Sequence, residues 1–427
     1  MKNPFPILFL FCFLYSYVNA QTDLSFYINQ AKENSPLIKD NKNQSEASKA
    51  ELERLKALYT KPQITFNAGV AVSPIINRDN GKTQFQISPS DATNYTGYDI
   101  AASNGGIYQG MLNVNQPLFN AGKLKMASEQ VLVANQINLN TIKLSEHDIE
   151  KIVGDQYILC LQDLKQTDYI IQLTQIINEQ KVVVNKLVEN GLLKQSDLLL
   201  VSIEQQTQQN TLAMYKSIYR RDLMDLNILC GINDTSLIAI NNLDLTISSS
   251  VSQSNFTEKF RLDSLNLLAA QKNFELKYKP QLSAYANTGL NGVYVPTLPN
   301  RFGLSGGLNF SVYIFDGKQK SLNKKKTDIL IKSTQSYKSN FITQNTIRKY
   351  KILAEISSLN DRIVISINQL KDYKQLLEYY KKEVITGQQS VVAYITTIKN
   401  LAALQRDYVL MQSSKLLLIN TYNYWNW

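Results

Sequence analysis

Two pairs of landmarks recur 196 residues apart in this chain: Phe119 with Phe315, and Gly191 with Gly387. Phe119 lies in Gln-Pro-Leu-Phe-Asn-Ala-Gly-Lys (116–123), and Phe315 in Val-Tyr-Ile-Phe-Asp-Gly-Lys (312–318). Each opens a long proline-free stretch of helical pattern that runs to the glycine. A unit repeated with a fixed internal length constrains the architecture more than any single residue, so the chain reads as two internal repeats.

Repeat 1 spans 21–231. Residues 23–60 are rich in Ala, Lys, Glu and Leu and read as a helix, divided by Pro36 and ended by Pro62. Residues 62–73 then alternate: Ile64, Phe66, Ala68, Val70 and Val72 face one way, and Gln63, Thr65, Asn67 and Gly69 the other. That is a strand with one apolar and one polar side. Turn chemistry fills 74–106, as in Pro74, Asp79-Asn80-Gly81, Pro89 and Gly105-Gly106. A second strand follows at 107–119, with Leu112, Val114 and Leu118 opposed to Asn113 and Asn115. No proline occurs between 118 and 279, and apolar residues recur every three or four positions, as at Ile149, Val153, Tyr157, Cys160 and Leu164. The pattern predicts a helix over 122–190, about 100 Å long at 1.5 Å per residue. Such length points to coiled-coil packing. Gly191 interrupts it, Ser196 is a candidate cap for a returning helix at 196–230, and Cys230-Gly231 ends that helix.

Residues 232–254 read as a connector with one short strand around Leu243, Leu245 and Ile247. Repeat 2, 255–427, restarts the order. A helix is expected at 256–278, strands at 280–293 and 303–315 around a short loop at 294–302, then long helices at 318–386 and 391–427. Tyr394, Ile398, Leu401, Leu404, Tyr408 and Met411 lie at helical spacing in the last.

Composition excludes more than it selects. Lys2, the apolar run Phe5 to Tyr17 and Val18-Asn19-Ala20 form a signal peptide at 1–20, with Gln21 as the expected mature start. Gln21, and not a cysteine, stands directly after that site, so a lipidated N-terminus is not expected. Cys160 and Cys230 sit in helical patterns and read as small core residues, with pairing the alternative. Cys12 is expected to leave with the signal, and the two remaining cysteines and the single His147 give no metal-ligand spacing. The net charge of +10 comes from lysines spread among Asp and Glu, a solvated pattern and not a nucleic-acid footprint. Beyond the leader, no apolar run is long enough for a transmembrane helix. His147 reads as a solvated or seam residue, and Glu51 and Glu53 as helix surface. Gly105–Gly110 precedes a strand, the wrong order for phosphate cradling. No catalytic, cofactor or metal site is therefore expected, and the chain reads as a non-enzyme.

Four two-faced strands of this length suffice to cross a bilayer when tilted, but four cannot close a barrel. Open edges are not tolerated in lipid, so strands of other chains must complete the wall; a soluble sheet packed on something apolar is the alternative. The tyrosines near strand ends (Tyr59, Tyr108, Tyr278, Tyr294) fit interfacial girdles or ordinary packing equally.

At this point the chain resembles a known family, the TolC-like outer-membrane efflux proteins (outer membrane factors). The resemblance rests on Lys61-Pro62-Gln63 and Lys279-Pro280-Gln281 entering the first strand of each repeat. It rests equally on Pro117-Leu118-Phe119-Asn120-Ala121-Gly122-Lys123 and Ile314-Phe315-Asp316-Gly317-Lys318 leaving the second, and on the tips Asn190-Gly191-Leu192 and Thr386-Gly387-Gln388. Each motif is weak; their order and spacing, met twice, are specific. The resemblance implies a mainly α fold with membrane β. Four strands per chain would contribute to a trimeric 12-stranded transmembrane β-barrel, continued by a long antiparallel coiled-coil α-barrel. It implies localisation in the outer membrane, extending into the periplasm. It also implies a homotrimer in outer-membrane lipid, partnered by a periplasmic adaptor (membrane fusion) protein and an inner-membrane transporter. The role implied is the passive exit duct of a tripartite efflux pump or type I secretion system. The alternative is a trimeric coiled-coil surface or structural protein with a β-barrel anchor, against which strand pairs in both halves argue.

The resemblance further places the periplasmic tip, gate and adaptor contact at Gly191, Leu192, Lys194, Asp197, Gly387, Gln388 and Gln389. Asp197 matches the family's gate acid, six residues after the first tip glycine. The second tip departs from the pattern. Gln388 stands for the expected Thr, Gln389 for a basic residue, Val384 for a tyrosine, and Ala393 and Thr396 for acids. A salt-bridged gate and an acidic ring are therefore not implied. Lys194 is expected to make the entrance less cation-selective.

Overall fold

The structure is a computed structural model that describes residues 23–87, 92–98, 106–252 and 254–427; the leader at 1–20, Gly105 and part of the 74–106 loop lie outside these. Among the described residues the helices are α1 (Leu24–Asn34), α2 (Pro36–Thr60), α3 (Ala121–Glu189), α4 (Gln195–Cys230), α5 (Glu258–Phe274), α6 (Gln319–Ile385) and α7 (Val391–Trp425). The strands are β1 (Gln63–Val72), β2 (Ile75–Asn77), β3 (Gln84–Gln86), β4 (Tyr95–Thr96), β5 (Gly106–Leu118), β6 (Gln281–Gly292) and β7 (Phe302–Ser311). None of the described helices is long and apolar enough to cross a membrane.

Local chemistry explains the boundaries. Asp23 accepts the Phe26 N–H at 3.0 Å and starts α1. Pro36 cannot donate a backbone hydrogen bond, so α1 stops at Asn34 and Pro36 opens α2 as its first residue. Gly231, left-handed at φ +63°, closes α4.

The described residues form two units. One takes residues up to Lys39 with Leu144–Ser254 and Gln344–Trp427; the other takes Asp40–Lys143 and Asn255–Thr343. The first is helical and carries three apolar cores. One gathers Leu173, Ile177, Val184, Val201, Leu377, Val384, Tyr394 and Ile398 from α3, α4, α6 and α7. A second joins Tyr27, Tyr157, Cys160, Tyr219, Leu226 and Cys230. A third joins Ile352, Ile356, Ile419 and Tyr422. Cys160 and Cys230 are free thiols, fully buried in the second core. Burial pushes both thiols up, far from the reactive thiolate form.

The second unit carries two sheets. The larger is antiparallel throughout, in the order β1-β5-β6-β7; the smaller is β3-β2-β4. The smaller sheet lies in the stretch expected to be loop. Its strands of two or three residues are too short to show a period.

The remaining differences from expectation have physical causes. The connector holds no strand among its described residues. Its carbonyls are taken by side chains: the Tyr157 hydroxyl donates to Asn241 O at 2.7 Å and the Tyr219 hydroxyl to Ile238 O at 2.5 Å. Leu243 packs on the second core and Leu245 on the third, so the alternation there serves docking and not pairing. β7 stops at Ser311, which is opposite Gln281, the first residue of β6. Val312 to Ile314 keep the alternation without a partner. The helix expected over 256–278 is α5 with a 3-10 turn at each end, Asn255–Thr257 and Glu275–Tyr278.

Candidate functional site: the two-faced sheet and the hairpin turns

The four long strands contain no Asp, Glu, Lys or Arg. Their register aligns the side chains into two sheet-wide faces. Ile64, Val114, Ala286 and Gly306 stand in one row, and Phe66, Leu112, Thr288 and Leu304 in another. One face therefore carries Ile64, Phe66, Val70, Leu304, Leu308 and Phe310, which are 64–80% exposed. The opposite face carries Gln63, Thr65, Asn67, Asn113, Asn115, Ser283, Asn287, Ser305 and Asn309. An apolar face of this size has no stable place in water. In one chain the sheet also leaves β1 and β7 as unpaired edges.

The two hairpin turns share one backbone device. In the first, Leu192 N–H donates to Leu187 O at 2.8 Å and Gly191 N–H to Val188 O at 2.9 Å. In the second, Gln388 N–H donates to Glu383 O at 2.8 Å and Gly387 N–H to Val384 O at 3.3 Å. Both glycines have φ +73°, the left-handed conformation that lets the last carbonyls of α3 and α6 find donors.

The entry into the returning helices is divided between the two turns. Lys194 and Ser390 are the N-cap residues of α4 and α7. Ser390 Oγ accepts the Ala393 N–H at 3.2 Å. Lys194 has no acceptor, and here the bond runs the other way, with Asp197 Oδ2 accepting the Lys194 N–H at 3.0 Å. Each turn keeps one half of a capping box. Ser196, the expected cap, lies inside α4, because the helix begins at Gln195.

Gly191, Leu192, Lys194, Gly387 and Gln388 are exposed, and Asp197 and Gln389 are half-buried. Gln389 Oε1 accepts the Ser390 N–H at 3.0 Å. Val384, where the family pattern has a tyrosine, is buried in the core behind both turns with Val184, Val201 and Val391. The structure thus brings apolar packing and backbone caps together at these turns.

Several buried polar groups escaped the sequence reading because only the helix packing pairs them. Asp163 on α3 is buried beside Asp222 of α4, and its Oδ2 has no donor. Burial, followed by the Asp222 charge, pushes Asp163 up to about 7, while Arg221, which donates to Asp222 at 2.7 Å, pulls the other way. Between the ordinary aspartate range and about 7, the unfolded chain has lost this proton and the folded chain keeps it. Stability therefore falls as pH rises through that window. Asp163→Asn is expected to remove this dependence and to raise stability at pH 8, by on the order of 2 kcal/mol after allowing for relaxation. Thermal unfolding from pH 5 to 8 checks this; a variant with the parent's pH slope would refute it.

Glu204 on α4 is also buried, accepts Gln208 Nε2 at 2.8 Å and lies 3.3 Å from Lys399 Nζ on α7. His147 is a buried seam residue. Its ring stacks on Tyr424 and Trp427, with centroids 4.8 and 4.2 Å away, and its Nε2 lies 2.9 Å from Tyr424 O. Trp425 receives the Arg348 guanidinium over its ring at 3.8 Å. These contacts account for the aromatic end of α7. Among the described residues no cluster of His, Cys, Asp and Glu is arranged to hold a metal.

No family model and no curated protein matches the sequence. The fold, however, is that of solved outer-membrane channels. The outer membrane protein VceC of Vibrio cholerae superposes with a TM-score of 0.70 at 13% identity, over 94% of this chain and 96% of that one. The CmeC outer membrane channel of Campylobacter jejuni gives 0.68 at 12% identity, over 94% and 85%. The open state of the MtrE outer membrane channel of Neisseria gonorrhoeae gives 0.66 at 11% identity, over 94% and 88%.

Proposed function

We propose that this chain, whose fold is that of TolC-like outer-membrane channels, is one third of a channel-tunnel in the bacterial outer membrane. Three copies contribute four strands each to a closed twelve-stranded barrel, and the helices continue the duct into the periplasm. The observation that carries this reading is the charge-free sheet with one exposed apolar face, one polar face and two open edges. Lipid satisfies the apolar face, a water-filled lumen the polar face, and neighbouring copies the edges. A surface fibre with an anchor at one end has less support, because strands from both halves of the chain lie in one sheet.

The duct is passive. An inner-membrane transporter supplies the work, and a periplasmic adaptor meets the turns around Gly191, Leu192, Lys194, Gly387, Gln388 and Gln389. Opening needs the paired helices to shift at those turns, so the groups that fix the helix starts hold the gate. Purified protein is expected to sediment as a trimer in detergent and to conduct in planar bilayers. A monomer, or a protein found with soluble periplasmic contents, would sink the proposal.

Asp197 has two separable contributions, its charge and its hydrogen bond to Lys194. Asp197→Ala removes both and is expected to raise closed-state conductance several-fold. Asp197→Asn keeps an acceptor and is expected to raise it less. Single-channel recordings that match the parent for both variants remove Asp197 from the gate.

A further inference from the structure

The strands of the larger sheet have two unlike ends. Gln63 is opposite Asn115, Leu118 opposite Leu282, and Gln281 opposite Ser311, so four strand termini fall at one end of the sheet. Lys61, Lys123, Lys279 and Lys318 lie just beyond that end, and Lys125, Lys277, Lys320 and Lys324 to Lys326 are close to them in sequence. At the other end, the described residues of the two connections carry Arg78, Lys82 and Arg301 with Asp79. Among the described residues the lysine collar belongs to one end alone.

Two carboxylates near the collar are already engaged. Glu275 lies 3.9 Å from Lys320 Nζ, and Asp316 accepts the Lys320 N–H at 2.8 Å. Lys123 and Lys279 have no carboxylate at ion-pair distance among the described residues.

Between those two lysines is a groove of about 420 Å³, walled by Leu118, Phe119, Met126 and Leu282. Leu118 and Leu282 are a register pair on the apolar sheet face, so the groove continues that face past the strand ends. Phe119 is held at φ +55° and is 90% exposed as a residue. Gly122, in the acid-free first turn of α3, adds the positive end of a helix dipole to the same place. Burial lowers the Lys123 pKa, and a neighbouring anion would raise it again. β5 and β6 are the central strands, so closure of the barrel at β1 and β7 leaves the groove uncovered.

We propose that this groove seats an anionic phospholipid of the periplasmic leaflet, with an acyl chain along Leu118, Phe119 and Leu282 and the headgroup phosphate between Lys123 and Lys279. The inference rests on the channel reading, which makes the apolar face lipid-facing. An aromatic ring at the boundary and basic groups just outside it are the two features that anchor protein to a charged leaflet.

The test uses the whole protein in micelles containing equal phosphatidylglycerol and phosphatidylcholine, with retained lipid counted by native mass spectrometry. Phosphatidylglycerol is expected to be retained preferentially. Lys123→Gln with Lys279→Gln is expected to cut that preference about tenfold. The Arg pair should restore it, and Lys332→Gln, outside the groove, should leave it unchanged. Equal retention of both lipids, or a double variant identical to the parent, overturns the inference. So does displacement of the lipid by millimolar inorganic phosphate, which would mark a site for free phosphate. The same preparations are tested for conductance. A parent protein that does not conduct overturns the channel reading and this inference with it, whereas a conducting channel without lipid preference overturns the inference alone.

Discussion

Gly289→Val is expected to abolish assembly, leaving no trimer in the outer-membrane fraction and no conductance. Gly289 is in β6 opposite Met111 of β5, at φ +148°. A Cβ there would lie 2.1 Å from Gly110 O and 2.8 Å from Met111 Cα. The obstruction is backbone, so no side-chain rotation relieves it. The strands must separate or the backbone must move, at about 3–5 kcal/mol when strain and overpacking are combined. In a membrane barrel, separated strands leave backbone groups without partners in lipid. Gly303→Val is the control. Gly303 is opposite Gly289 on β7, but a Cβ there meets nothing within 4 Å. Normal accumulation of the Gly289 variant, or equal failure of both, would mean that the β5–β6 register is wrong.

Tyr157→Ala is expected to destabilise the helical unit by about 4 kcal/mol and to release the connector. Tyr157 is 1% exposed, packs edge-on to Tyr27 with ring centroids 5.9 Å apart, and donates to Asn241 O. Removing it opens a cavity in the core that holds Cys160, Tyr219 and Leu226 and takes away a tether of a segment with no ladder of its own. Tyr157→Phe keeps the ring and loses only the hydroxyl, at about 1 kcal/mol. Urea unfolding gives the energies. Limited proteolysis should show faster cutting within 232–252 for Ala than for Phe. Equal effects from the two substitutions would place the contribution in the hydrogen bond and not in packing.

The alternation from Ile64 to Val72 and the spacing that runs to Gly191 and Gly387 are local signals, and they survive into the structure as β1 and as two turns of like hydrogen bonding. Pro36 acts within one residue of itself, and the helix break stands beside it. Where the reading failed, the deciding partner was far away in sequence. Leu243, Leu245 and Ile247 alternate like a strand, but Leu243 and Leu245 pack on helical cores, and tyrosine hydroxyls occupy their neighbours' carbonyls. Val312 to Ile314 alternate past the point where β6 can pair. Ser196 is a sound capping residue by composition, but a carboxylate three residues into α4 and the preceding Lys194 N–H already close that end.

The candidate site divides in the same way. The glycines of the two hairpin turns were legible because a left-handed turn restricts the residue to be used. Asp163 beside Asp222, Glu204 beside Lys399, and His147 under Trp427 were not. Each depends on the rotational phase of a long helix, where a shift of one residue turns a side chain by about 100°.

By itself the sequence determined the long helices and the four long strands, which strand face is apolar, and where the chain reverses, because periodicity and turn chemistry act over a few residues. Only the tertiary structure decided that the strand pairs form one sheet, where each ladder ends, which buried carboxyls meet, and that Lys123 and Lys279 flank one groove. Those outcomes depend on register and helix phase, which distant packing sets and which no short stretch of residues records.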